Sequence, residues 1–149
     1  MRQTGEYLDG SENPDDYVAH LLKSGKIYGF GHRIHKTDVN DFSDVLGKDP
    51  RVSLYIEACR EGFPEKSIII DRLVAYAAAV RRAHPNLGAN TDFGASVLFH
   101  VLDLSANIAV GFFAAFRSPG ICAQIVNELD VKGNSRRPPF PPVLPYPKR

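Results

Sequence analysis

Cysteine is scarce. Only Cys59 and Cys122 occur in 149 residues, which excludes a disulfide scaffold and fits a reducing compartment. Neither sign of charge dominates: 18 basic against 17 acidic side chains leave +1 with neutral histidines. That balance argues against a strongly electrostatic nucleic-acid binder. No cationic leader precedes an apolar stretch at the N-terminus, so no secretory signal is expected. The longest apolar run, Ala106 to Phe116, is too short to span a bilayer and is followed by Arg117. No internal repeat is present, and no stretch joins period-two alternation to hairpin turn chemistry, except weakly around Ile68–Ile70. A soluble, cytoplasmic chain without membrane or nucleic-acid partners is the expectation. With 44% apolar residues it can hide roughly 70% of its unfolded surface in a compact domain.

What is present is helical. The polar opening, Met1 to Glu12, reads as a loosely ordered lead-in. Asn13-Pro14 is a helix start, because asparagine caps free amides and proline loses no needed hydrogen bond there. Tyr17, Val18, Leu21 and Leu22 follow at helical spacing, with Gly25 as the stop. Ile27 to Arg33 is too glycine-rich for a regular helix, and Thr37 to Lys48 is polar enough for a loop. Asp49-Pro50 restarts a helix on Val52, Tyr55, Ile56 and Cys59 that stops near Gly62. Pro64 opens another, with Ile68, Ile69, Leu73, Ala77 and Val80 running toward Arg82. After a break at Pro85 to Ala89, a helix from Thr91 or Asp92 reaches Val101. The last runs from about Ser105 to Leu129; its apolar first half predicts burial on several faces, and Pro119 should kink or split it. Six of the eleven prolines lie between Pro138 and Pro147, a tail suited to extended polyproline conformation. The fold class is all-α, organised as a helical domain over 1–103, a long helix over 104–130 and an extended tail over 131–149.

Three places carry chemistry. Gly29 to His32 sets a histidine beside glycines that allow close approach to a ligand, with Arg33 and Lys36 nearby. A turn with an exposed histidine is the plainer alternative. The segment lacks the third glycine and preceding strand of a dinucleotide fingerprint, and His32 with His35 lacks further ligands for a metal. In Asn90-Thr91-Asp92-Phe93 an aspartate occupies the first turn of an apolar helix. It could be a general base at a cleft, or one of Asn90, Thr91 and Asp92 could simply cap the helix. Arg117 interrupts an apolar run, where it either snorkels to the surface or pairs with a carboxylate. Arg136-x-x-Pro139-x-x-Pro142 has the shape of a ligand for proline-recognising domains, or is simply a basic tail. Cys59 and Cys122 read as small buried apolar residues.

Taken in order, Gly29-Phe30-Gly31-His32-Arg33, Asn90-Thr91-Asp92-Phe93, Phe116-Arg117-Ser118-Pro119-Gly120 and Arg137-Pro138 resemble the C-terminal portion of the citrate synthase family. The resemblance runs from about Glu12 to Pro138. The family joins an acyl-CoA, usually acetyl-CoA, to oxaloacetate and hydrolyses the citryl thioester, with no cofactor beyond the acyl-CoA substrate. The resemblance makes Asp92 the base that deprotonates the thioester methyl. It makes His32 the donor to the oxaloacetate carbonyl, a preorganised electrostatic role. Arg117 would grip a substrate carboxylate, and Arg137 would reach the neighbouring subunit's site in the family homodimer. The family's further arginine, in an Asp-Pro-Arg context close behind the histidine, corresponds to Arg51. Here Asp49-Pro50-Arg51 comes only after an apparent insertion, which leaves its position relative to His32 open.

The resemblance also implies that a first catalytic histidine lies upstream of this chain. The chain is therefore expected to be a fragment, inactive alone, that self-associates through its apolar last helix. A 2-methylcitrate synthase or a citryl-CoA lyase of the same family is an alternative. So is a non-catalytic helical interaction module built on Ile108–Phe116 and the proline tail.

Overall fold

A computed structural model describes residues 2–10, 13–35 and 45–132. In chain order the described helices are α1 (Arg2–Asp9), α2 (Pro14–Ser24), α3 (Pro50–Gly62), a 3-10 turn at Pro64–Lys66, α4 (Ser67–Ala83), α5 (Thr91–Val101) and α6 (Ala106–Lys132). No strand occurs among the described residues; an isolated antiparallel bridge joins Phe30 to Ala89. The fold is all-α, as expected. The chain divides into two compact units, Met1–Ala109 and Val110–Arg149, a division that falls inside α6.

Local chemistry sets the helix ends. Asn13 Oδ1 accepts from the Asp15 amide at 3.0 Å, Pro14 occupies the first turn, and Gly25 closes α2 through its N–H to the Leu21 and Leu22 carbonyls. Asp49 and Asn90 cap α3 and α5 in the same manner. Between these ends, Val18, Leu21, Val52, Ile56, Cys59, Ile70, Leu73, Val80, Phe93 and Val97 form one buried cluster. Helix α3 lies closely against α5 because Gly94 has no side chain. A Cβ there would stand 2.7 Å from Tyr55 Cδ2, inside van der Waals contact. Alternation around Ile68–Ile70 carries no strand; these residues lie in α4.

The N-terminal stretch departs from expectation. Residues 2–9, polar enough to predict a loose lead-in, form α1, with Thr4 and Tyr7 each 3% exposed. The reason is tertiary. The Tyr7 ring stacks on Tyr76 at 5.2 Å between centroids and lies 5.5 Å from Tyr17. Arg72, from α4, donates to the carbonyls of Leu8, Tyr7 and Gly10 at 2.9, 3.1 and 2.8 Å. A guanidinium thus supplies the C-terminal cap that the local sequence lacks. Thr4 Oγ1 meets His100 Nε2 at 2.9 Å.

Helix α6 also departs. It runs through Pro119 without a break, so the predicted split does not occur. Among the described residues, the apolar side chains of α6 beyond Ala109 are largely exposed rather than buried on several faces. Val110 and Phe116 are 77% and 71% exposed, and Ile121, Ile125, Val126 and Leu129 are all exposed. Cys122, expected to be buried, is exposed, whereas Cys59 is buried. By length and composition alone, Ala106–Asn127 is long and apolar enough to cross a membrane, although the apolar run read from the sequence is shorter.

At the centre of the core, the Tyr76 ring is fully buried, and its hydroxyl has no hydrogen-bond partner among the described residues. Burial pushes its pKa far above the ordinary tyrosine value. Removing an unsatisfied buried hydroxyl relieves a desolvation penalty. Tyr76→Phe is therefore expected to leave stability unchanged or raise it by about 1 kcal/mol in denaturant unfolding. A loss of about that size would show that the hydroxyl is bonded.

Candidate active site

Two loops from distant parts of the sequence meet at the N-terminus of α5. The Gly31 amide donates to the Gly88 carbonyl at 2.8 Å, and the Asn90 amide donates to the Gly29 carbonyl at 3.0 Å. Asn90 does more. Its Oδ1 caps α5 by accepting from the Asp92 amide at 2.9 Å, while its Nδ2 donates to the Gly31 carbonyl at 3.0 Å. One amide side chain therefore starts the helix and ties it to the glycine loop. Of the three cap candidates read from the sequence, Asn90 takes the role.

Beneath this clasp, the Phe30 ring packs edge-on to Tyr76 at 5.7 Å and lies 5.2 Å from Phe93. Aromatic burial of this kind anchors the loop to the core. Gly29 adopts φ +86°, and a Cβ there would lie 3.3 Å from the Phe93 backbone nitrogen and Cα. Both the left-handed backbone and the close approach require glycine.

The clasp presents His32 half-buried, with a defined tautomer. Its Nδ1 accepts from the backbone amides of Ile34 and His35, both at 3.1 Å. A ring nitrogen that accepts carries no proton, so the neutral ring holds its proton on Nε2. The His35 ring lies 4.8 Å from it between centroids.

Nε2 of His32 faces Arg51 Nη2 at 3.2 Å. The insertion ahead of Asp49-Pro50-Arg51 thus does not carry Arg51 away from the histidine. Asp49 Oδ1 accepts from the Arg51 amide at 3.1 Å, which caps α3, and from Arg51 Nε at 2.9 Å; Oδ2 accepts from Nη2 at 2.7 Å. Hydrogen bonding with Arg51 holds the Asp49 carboxyl below its ordinary pKa, against the opposing effect of burial. Reciprocally, Asp49 raises the Arg51 pKa, with smaller contributions from the charges of Tyr55 and Asp92.

Asp92 sits in the first turn of α5 with its side chain exposed. Its carboxylate has no hydrogen-bond partner among the described residues, yet its charge is felt at Arg51. His32 and Arg51 thus meet at one surface of the first unit, and Asp92 stands near enough for its charge to act on Arg51. Arg117 lies in the second unit, on α6, where its guanidinium covers the Phe113 ring at 4.8 Å, a cation–π contact. Arg137, with the whole of 133–149 and its proline motif, lies outside the described residues, as does 36–44. Asn90 and Asp49 are the working residues that sequence reasoning did not single out for the site, although both are helix-cap types ahead of a periodic run. No group of three or more His, Cys, Asp or Glu side chains placed to hold a metal occurs among the described residues.

The citrate synthase C-terminal domain model matches residues 2–139 of this chain. The match thus includes α1, ahead of the point where the motif resemblance began. A citrate synthase of Acidithiobacillus ferridurans is 30% identical over 126 residues, covering 80% of this chain and 28% of the relative. One from Synechocystis sp. is 26% identical, covering 85% of this chain and 30% of the relative. One from Helicobacter pylori strain J99 is 25% identical, covering 83% and 29% respectively. The chain therefore spans less than a third of the length of these relatives. No solved structure matches it at significance.

Two expectations follow. Gly29→Ala forces a left-handed alanine against backbone atoms of α5 and should cost about 1–2 kcal/mol from the conformation alone, read by denaturant unfolding. Asp49 gives a pH dependence. Its folded pKa is depressed, so its stabilisation is complete above the unfolded value, 3.8, and is lost as pH falls through the folded value. Acidification below about pH 4 should therefore destabilise the wild-type chain more than Asp49→Asn. Equal losses in the two proteins would contradict it.

Proposed function

The chain belongs to the citrate synthase family, and from that premise we propose that it carries the oxaloacetate-binding and proton-abstracting half of an acyl-CoA-condensing active site. The observation that carries this reading is the convergence of two donors. Nε2–H of His32 and Nη2 of Arg51 stand 3.2 Å apart, and neither can accept from the other. Two donors this close together can share one acceptor, and an oxygen bearing negative charge suits both. Oxaloacetate supplies such oxygens. Its carbonyl oxygen against His32 would gain charge as the carbon–carbon bond forms, and a fixed N–H there stabilises the transition state more than the ground state. A carboxylate of the same substrate would lie against Arg51.

Asp92 is the base in this reading. Its exposed carboxylate has no hydrogen-bond partner among the described residues, which leaves its oxygens available to take a proton from the methyl of an acetyl thioester. Arg117 would bind a second carboxylate, and Arg137 would enter the site of a partner subunit in a homodimer. The group that polarises the thioester carbonyl belongs to the rest of a longer enzyme. The 149 residues alone are then expected to turn over little or no substrate. A cytoplasmic enzyme with acetyl-CoA and oxaloacetate as substrates, and no cofactor of its own, completes the reading.

Release of free CoA from acetyl-CoA and oxaloacetate tests it. The chain would be assayed alone and joined to the preceding part of a citrate synthase. Turnover is expected in the joined protein, falling about 10³-fold on Asp92→Ala and about 10²-fold on His32→Ala, as loss of a general base and of an oxyanion donor does elsewhere. A folded joined protein that releases no CoA with acetyl-CoA or propionyl-CoA, and cleaves no citryl-CoA, would sink the enzyme reading and favour a helical interaction module.

A further inference from the structure

Asp49 bonds Arg51 three times, although helix capping needs only one of those bonds. Its side chain is 1% exposed while that of Arg51 is 46% exposed. A half-exposed arginine ordinarily samples many rotamers, and its guanidinium holds one orientation only when something grips the fork. Asp49 does so with both carboxylate oxygens, in the bidentate geometry that fixes a guanidinium plane. The carboxylate is itself immobile, because it is buried and bound to the first turn of α3. That helix is set in the core through Val52, Ile56 and Cys59. A rigid path therefore runs from the core, through a carboxylate, to a guanidinium whose Nη2 lies 3.2 Å from His32 Nε2.

We propose that Asp49 is a positioning residue, which holds the Arg51 guanidinium against His32 so that the two can share one dicarboxylate ligand. It touches no ligand itself and acts through Arg51. The oxaloacetate part rests on the function proposed above; the positioning of Arg51 does not.

The sign of one effect separates positioning from simple charge. Asp49 is an anion beside a site for a dianion. Were its charge all that mattered, neutralising it would strengthen dicarboxylate binding. A positioning residue predicts the opposite. Asp49→Asn is the informative change, since asparagine caps helices as well as aspartate does but cannot grip a guanidinium with two anionic oxygens. Asp49→Ser, also a good cap, guards against an effect peculiar to asparagine.

Nuclear magnetic resonance on the 149-residue chain reads both parts. Without ligand, cross-relaxation is expected between the Arg51 guanidinium protons and the His32 ring in the wild type. It should disappear in Asp49→Asn and Asp49→Ser while far-UV ellipticity is retained. Oxaloacetate should then shift the His32 ring signals of the wild type and bind about tenfold more weakly to both variants. Unchanged cross-relaxation in folded variants overturns the proposal, as does tighter oxaloacetate binding. Cross-relaxation that is lost as expected, in a wild type that does not bind oxaloacetate, would uphold the positioning of Arg51 and remove the substrate reading instead.

Discussion

The pairing of residues 29–31 with 88–90 is the constraint on which the candidate site depends. Main-chain bonds from Gly31 to Gly88 and from Asn90 to Gly29 join two loops separated by three helical segments. The Asn90 side chain adds a third bond to Gly31 while capping α5. Such a clasp has few bonds, so by itself it would not repay the entropy of ordering two loops. It holds because Phe30 enters the aromatic cluster of Tyr7, Tyr17, Tyr76 and Phe93. Burial of rings supplies the stability, and the hydrogen bonds supply the register.

Electrostatics then turns a surface loop into a defined arrangement. His32 is locked as one tautomer by two backbone amides, and Arg51 is locked by a buried carboxylate. Both devices fix the orientation of a polar side chain through more than one hydrogen bond, which is how a site on loops acquires precision. Asp92 stands apart from this bonding. Its carboxylate is left exposed and unpartnered among the described residues, on a helix whose capping is assigned to Asn90 instead. The division of labour between neighbouring residues keeps the cap from consuming the candidate base.

Helix α6 is built on other terms. In the first unit only Ala109 from this helix joins a core cluster, beside Ala95 and Phe99. Beyond it, exposed Val110, Phe116, Ile121 and Ile125 form apolar surface of a kind that stable monomers rarely leave uncovered. Ser118 returns its hydroxyl to the Ala114 carbonyl at 2.8 Å, one turn back, next to the amide that Pro119 lacks.

Helices α2, α3 and α5 were legible because their signals act within one turn. Asn13-Pro14, Asp49-Pro50 and Asn90 precede apolar runs at helical spacing, and a cap needs only its own next three residues. His32, Asp92 and Arg51 were legible as a motif, through a family resemblance that composition and periodicity do not contain. Whether Arg51 lies beside His32 was not legible, because the two are nineteen residues apart and no pattern along the sequence reports a contact at that separation. Nor was α1, whose order comes from Arg72 and Tyr76, more than sixty residues away. The sequence by itself determined where α2, α3 and α5 begin and which family the motifs belong to. Tertiary structure decided which cap residue is the clasp and that the Arg51 fork, gripped by its near neighbour Asp49, lies against His32. Those depend on atoms that meet only after the helices pack, and no periodicity along the chain encodes them.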